Sequence, residues 1–234
     1  MAKPLVPATP TGAVAAFLDR ARAVPALRTA ATRARLLFAV DATASRQPAW
    51  DRACAVQGEM FLAVRDLGGL AVSLSYYRGF GEFTATPFLE DGAELARRMS
   101  GVSCLGGRTQ IGRVLDHALR EAARARLGAV VFVGDAVEEA PDALCHAAGQ
   151  LGARGVPVFV FQDGADRLAT EVLRQIARLS GGAWAPFDSR SPRALAELLR
   201  AAAVFAAGGG AALARLPGPA ASAIAGQLAA PRGG

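Results

Sequence analysis

Residues 35–45 read Arg35-Leu36-Leu37-Phe38-Ala39-Val40-Asp41-Ala42-Thr43-Ala44-Ser45. A short apolar run, Arg35–Val40, stops at an aspartate, which is how a strand buried on both faces ends. Beyond it an oxygen-bearing side chain stands at every second position: Asp41, Thr43, Ser45. Side chains two apart in an extended segment point the same way. All three can therefore face one point in space.

Outward from this stretch the periodicity alternates between helix and strand. Pro48 suits a first helical position, and the apolar spacing Trp50, Ala53, Cys54, Met60, Phe61, Val64 predicts a helix that Gly68-Gly69 ends. Leu70–Arg78 and Glu82–Thr86, joined through Gly79–Gly81, predict an antiparallel hairpin, with Val72, Leu74 and Tyr76 alternating against Ser73, Ser75 and Tyr77. A short helix is expected over Asp91–Met99. After Gly106-Gly107 the positions Ile111, Val114, Leu115, Ala118, Leu119 and Ala122 mark one face of an amphipathic helix. Ala129–Val133 is a second buried strand, leading to Gly134-Asp135. Then follow a helix over Pro141–Arg154, a strand over Pro157–Gln162 and a helix over Asp166–Leu179 with Leu168, Val172, Leu173 and Ile176 inward. A last strand, Ala183–Phe187, and a last helix, Pro192–Ala207, complete the pattern. Such alternation predicts an α/β fold, a mainly parallel sheet with helices on both faces. In that architecture ligands gather at the carboxyl ends of the strands, where Asp41 and Asp135 both fall.

Residues 1–33 are expected to form an N-terminal extension with a helix over Ala13–Arg22, 34–207 the main domain, and 208–234 a poorly ordered Gly/Ala/Pro tail. The chain has 234 residues, 52% hydrophobic and 20% charged, enough for a substantial core without disulfides. Cys54, Cys104 and Cys145 are an odd number at wide spacing, which argues against a disulfide framework and a CxxC zinc ribbon and for a reducing compartment. Lys3 is the only lysine among 26 basic residues, so chemistries that need a lysine in the main domain are excluded. The formal charge of +6 divides into +5 over 1–35, −3 over 36–189 and +4 over 190–234. No aromatic-basic pattern accompanies the basic ends, so they do not read as a nucleic-acid interface. Prolines interrupt the uncharged stretches Leu5–Leu18 and Leu216–Pro231, so neither reads as a signal peptide or a bilayer span. The expected location is the cytoplasm.

Three pieces converge on the predicted site: Asp41-x-Thr43-x-Ser45; Thr109 in Gly106-Gly107-Arg108-Thr109-Gln110-Ile111-Gly112; and Asp135 after the second buried strand. Two carboxylates and three hydroxyls, without histidine or cysteine, are hard donors that suit Mg²⁺ or Mn²⁺ rather than zinc. Magnesium keeps several waters, so an open position remains for an anion.

At these residues the sequence resembles the von Willebrand factor type A (VWA) domain, of the bacterial cytoplasmic stand-alone kind. Its metal-ion-dependent adhesion site (MIDAS) combines Asp-x-Ser-x-Ser at the exit of the first strand, a Thr in a later loop and an Asp after the fourth strand. Asp41, Thr43, Ser45, Thr109 and Asp135 match in order, with Thr43 standing where the family has Ser. The resemblance spans about residues 35–205. It implies a doubly wound, Rossmann-like six-stranded sheet with one antiparallel edge strand. It further implies a non-enzymatic module that engages an acidic residue of a partner protein through Mg²⁺ or Mn²⁺, in an adaptor or assembly role.

Other readings remain open from the residues themselves. Asp41, Thr43 and Ser45, or Asp135, can cap the helices that follow them. Asp41 at a strand end also suits a Mg²⁺-dependent phosphoryl-transfer hydrolase, although Thr43 stands where such enzymes carry a second aspartate. A degenerate, metal-free VWA scaffold is the third. Glu138, Glu139 and Asp142 read as helix-start acids. His117 and His146 read as surface residues, and Tyr77, Arg78 and Phe80 as ordinary hairpin packing, with a contact surface as the alternative.

Overall fold

Strand β1 (Ala34–Asp41) lies in the middle of a six-stranded sheet of order β3-β2-β1-β4-β5-β6. The other strands are β2 (Leu70–Arg78), β3 (Glu82–Ala85), β4 (Ala129–Gly134), β5 (Val158–Asp163) and β6 (Trp184–Phe187). Only β3 runs antiparallel, paired with β2 through Tyr77↔Phe83 and Arg78↔Glu82. This computed structural model describes residues 33–188 and 192–229. The helix expected over Ala13–Arg22 lies outside them.

Strand parity builds two cores. Leu36, Phe38 and Val40 of β1 join Val72, Leu74, Val131, Val133, Phe159 and Phe161 on one face. Leu37 and Ala39 join Tyr77, Val130, Phe132, Val158 and Val160 on the other. Helices α1 (Gln47–Val56), α2 (Gly58–Ala63), α3 (Gly92–Ser100) and α7 (Pro192–Leu213) cover the first face. Helices α4 (Ile111–Arg124), α5 (Pro141–Ala153) and α6 (Arg167–Ser180) cover the second. Because both faces are packed, β2 buries Ser73 and Ser75 along with its apolar residues. The sheet is therefore the mixed, doubly wound one that the sequence pattern predicts.

Three details differ from expectation. The helix predicted across Trp50–Val64 is two helices, α1 and α2, meeting at Gln57. Leu168, expected inward, is 63% exposed in the first turn of α6, while Val172, Leu173 and Ile176 are buried. The segment expected as a tail from Gly208 onward is helical over most of its described length. α7 runs to Leu213 across a break at Gly209 (φ 68°), and α8 (Pro219–Ala229) packs Ala221 and Ile224 into the first core. By length and composition, Arg193–Leu213 is the one described stretch apolar enough to cross a bilayer. Its Leu195, Leu199 and Ala201–Ala203 are buried in the core that covers the sheet.

Helix α8 also finishes the sheet. The Trp184 backbone N–H donates to Gln227 Oε1 (2.9 Å), and Gln227 Nε2 donates back to the Trp184 carbonyl (2.8 Å). One side-chain amide thus occupies the outward peptide groups of the edge strand, and Pro186, two residues on, has no N–H to offer. Open edges invite pairing with other chains, and both devices blunt this one. Replacing Gln227 with Ala is expected to lower Tm by about 2–4 °C, the effect of losing about 1 kcal/mol. It should also produce concentration-dependent self-association on size-exclusion chromatography. Unchanged elution and Tm would show that the amide does not guard the edge.

Candidate metal centre

Asp41 is the last residue of β1, and its parity is that of Leu37 and Ala39. It therefore points into the α4/α5 side of the sheet, buried beside its registered neighbour Tyr77 on β2. The Tyr77 hydroxyl donates to Asp41 Oδ2 (3.0 Å), and the Thr43 backbone N–H donates to Oδ1 (2.8 Å). Burial pushes the Asp41 carboxyl above its usual range and outweighs the lowering by Thr43; the nearby Asp135 charge raises it further. Tyr77 is itself held well above the usual phenol range, by burial first and then by the Asp41 charge. It stays a neutral donor.

Asp135 follows β4, whose Val133 is in register with Val40 of β1. The two carboxylates thus leave adjacent parallel strands at the same end. Gly134 lets the strands' exits close together: a Cβ there would sit 3.6 Å from Asp41 Cβ and 2.7 Å from the Phe132 ring. The site pairs two acids in a partly desolvated place, an arrangement that costs free energy until a cation joins it.

Thr109 is buried and comes from a loop locked on three sides. Its N–H donates to Glu138 Oε2 (2.8 Å), and its Oγ1 accepts from the Glu138 N–H (2.9 Å). The next residue, Glu139, accepts from the N–H groups of Ile111 (2.9 Å) and Gly112 (2.7 Å), the first turn of α4. Upstream, the Leu105 N–H donates to the Ala42 carbonyl (3.0 Å) and the Arg108 N–H to the Gly79 carbonyl (3.1 Å). The loop after Asp135 therefore grips the loop of Thr109, which in turn is tied to the exit of β1. Removing the Glu139 carboxylate (Glu139→Ala) is expected to lower Tm by about 3–12 °C, since two charge-assisted bonds at a helix N-terminus are worth about 1.5–3 kcal/mol. A Tm within about 1 °C of wild type would show that this clamp is idle.

The structure places the predicted residues as follows. The Asp135 charge acts on Asp41, Thr43 lies nearly buried beside Asp41, and Thr109 is joined to the loop that follows Asp135. Ser45 is exposed in the single turn Ala44–Arg46, two residues further along. Thr43 makes no side-chain cap bond, Ala140 occupies the position before α5, and Glu139 rather than Thr109 serves α4. The pairing of Tyr77 with Asp41 and the clamps by Glu138 and Glu139 go beyond the sequence reading. Tyr77 is fully buried under Asp41, in line with hairpin packing rather than a contact surface. His117, expected at the surface, is half-buried against Phe83, with its imidazole pushed below the usual range by burial. Among the described residues no group of three or more His, Cys, Asp or Glu is arranged to hold a metal ion.

No family profile and no curated protein matches the chain by sequence. Solved structures do match in three dimensions. The von Willebrand factor type A structure from Catenulispora acidiphila superposes with a TM-score of 0.63 at 19% identity, covering 75% of this chain. This chain spans 43% of the length of that one. An aerotolerance-related membrane protein from Bacteroides fragilis gives 0.56 at 16% identity, covering 72% of this chain and 98% of its own. The SpRpn10 VWA domain gives 0.54 at 13% identity, covering 71% and 93%. The fold of this chain is the VWA fold, and the carboxyl-end loops of that fold carry the residues described above.

Proposed function

We propose that this protein is a non-enzymatic binding module that uses a divalent cation, Mg²⁺ or Mn²⁺, to engage an acidic residue of a partner protein, as an adaptor or assembly factor in a bacterial cytoplasm. The observation that carries the reading is buried Asp41 at the end of β1 with half-buried Asp135 just past the end of β4, its charge acting on Asp41, and with the loop of Thr109 clamped to the loop that follows Asp135. The donor set fits such an ion: two carboxylates and the hydroxyls of Thr43, Ser45 and Thr109 are hard oxygens, too few to close a coordination shell, so waters or a ligand complete it. Asp41, Thr43, Ser45, Thr109 and Asp135 would hold the ion. When bound, the ion supplies a Lewis-acidic point to which a carboxylate oxygen of the partner attaches.

The residues themselves do the preparatory work. Tyr77 and the Thr43 N–H orient Asp41, while Glu138 holds the Thr109 hydroxyl in place. Burial of Asp41 beside the Asp135 charge disfavours two ionised carboxylates without a counter-ion, which favours a cation at the site. The same internal bonds favour one rival, a metal-free scaffold in which Tyr77 and Thr43 alone satisfy Asp41. Isothermal titration separates the two. Saturable Mg²⁺ and Mn²⁺ binding at one site, lost in Asp135→Ala, supports the proposal. Absence of heat together with an unchanged Tm in Mg²⁺ and in EDTA selects the scaffold.

A further inference from the structure

Beside the proposed metal site, the tip of the β2–β3 hairpin carries the most exposed aromatic side chain among the described residues. Phe80 is 85% exposed between Gly79 and Gly81, where its ring contributes to no core. Leu105, 53% exposed, lies against this tip: a Cβ on Gly79 would be 3.4 Å from Leu105 Cδ2. Single exposed apolar residues are ordinary, but two neighbours on a fixed platform form a patch. The platform is fixed because Gly79 N–H donates to the Leu105 carbonyl (3.3 Å) and Arg113 Nη1 donates to the Gly81 carbonyl (2.6 Å).

Charge divides this end of the sheet. The hairpin side carries Arg78, Arg108 and Arg113, and the acids beside them are engaged: Glu82 by Arg78, and Glu138 and Glu139 by the N–H groups of Thr109, Ile111 and Gly112. The ends of β5 and β6 carry Asp163, Asp166 and Asp188, with Arg167 beside them. A ligand with acidic groups is therefore favoured over the hairpin and disfavoured over β5 and β6. Leu105 precedes Thr109 by four residues, which an extended chain spans in at most about 13–14 Å. An apolar side chain two to four residues from a metal-seeking acid reaches that far.

We infer that the partner is an extended acidic segment running from the metal site across the hairpin, with an apolar side chain seated on Phe80 and Leu105 and its flanking charge met by Arg108. This rests on the metal-site reading above and adds the partner's direction and second anchor. The platform is also built to survive its own testing, since neither the Phe80 nor the Leu105 side chain is part of the bonds that hold it.

The test uses the full ¹⁵N-labelled chain and capped peptides carrying one glutamate with leucine two, three or four residues away, each matched by a peptide with alanine in place of leucine. With Mg²⁺ present, at least one leucine peptide is expected to shift the amides of 79–81 and 105–108 and to bind at least about threefold more tightly than its alanine match, the effect of burying a methylene or more. Phe80→Ser combined with Leu105→Ser should erase that difference while leaving the Mg²⁺-induced shifts at 41–45, 109 and 135 unchanged. If Mg²⁺ shifts those residues but leucine and alanine peptides bind alike, or no peptide binds, the hairpin anchor is refuted and the metal site stands. If leucine peptides occupy the tip equally well in EDTA, the coupling to the metal site is refuted. Absence of Mg²⁺-induced shifts overturns both readings together.

Discussion

Gly107→Ala is expected to lower Tm by about 6–12 °C and to blunt the response to Mg²⁺. A Cβ at position 107 would lie 1.9 Å from the Gly79 carbonyl oxygen and 2.4 Å from Gly79 Cα. These are backbone atoms of a paired hairpin, so no side chain can swing aside. The loop must lift, breaking the Arg108 N–H bond to the Gly79 carbonyl and the Gly79 N–H bond to the Leu105 carbonyl. Such a clash costs about 3 kcal/mol, and about 2–4 °C accompanies each kcal/mol in a domain of this size. Thr109 is only two residues away, so the lifted loop moves a proposed ligand. Differential scanning fluorimetry in EDTA and in Mg²⁺ reads both effects. A variant with wild-type Tm would mean that the hairpin and this loop are not in contact.

Asp41→Asn is expected to act in the opposite direction on the metal-free protein. Burial and the neighbouring Asp135 raise the Asp41 carboxyl above its usual 3.8, so the folded state holds this proton more tightly than the unfolded one. The stability that the protonated carboxyl contributes is complete below pH 3.8 and is lost as pH rises through the higher folded-state value. Where it is ionised in EDTA, the wild-type residue is therefore a liability, and asparagine should raise Tm, by about 2–4 °C for each kcal/mol relieved. The difference between variant and wild type should grow with pH above 3.8 and then level off. In Mg²⁺ the order reverses: wild type gains about 2.7 kcal/mol at a hundredfold excess over Kd, and the variant gains nothing. An Asp41→Asn protein less stable than wild type in EDTA at pH 7 would contradict the electrostatic account of the site.

Much of this was legible in the residues, for identifiable reasons. Arg35–Val40 is apolar at every position after the arginine, which only a central strand covered on both faces requires, and β1 is that strand. Leu70–Arg78 has turn glycines at both ends, so its predicted bounds are the observed ones. What stayed hidden depends on register or on distance along the chain. Alternation places Tyr77 on a face but does not reveal that Asp41 stands beside it; the β1–β2 register does. Glu138 and Glu139 look like acids at the start of α5, yet they serve a loop and helix 27–29 residues earlier. Composition misled at 208–229, where glycine and proline suggest disorder. Alanine is the best helix former, and Leu213, Ala221 and Ile224 suffice to dock the segment. Leu168 obeys the helical period of α6 but sits in its first turn, and period alone does not tell which turns lie over the sheet.

The most direct test of the central claim is anomalous diffraction from crystals of the full chain grown with saturating Mn²⁺. The account predicts one strong peak among the oxygens of Asp41, Thr43, Ser45, Thr109 and Asp135, displaced by excess Mg²⁺. A map with no peak there, or with its only strong peak elsewhere on the molecule, would contradict it.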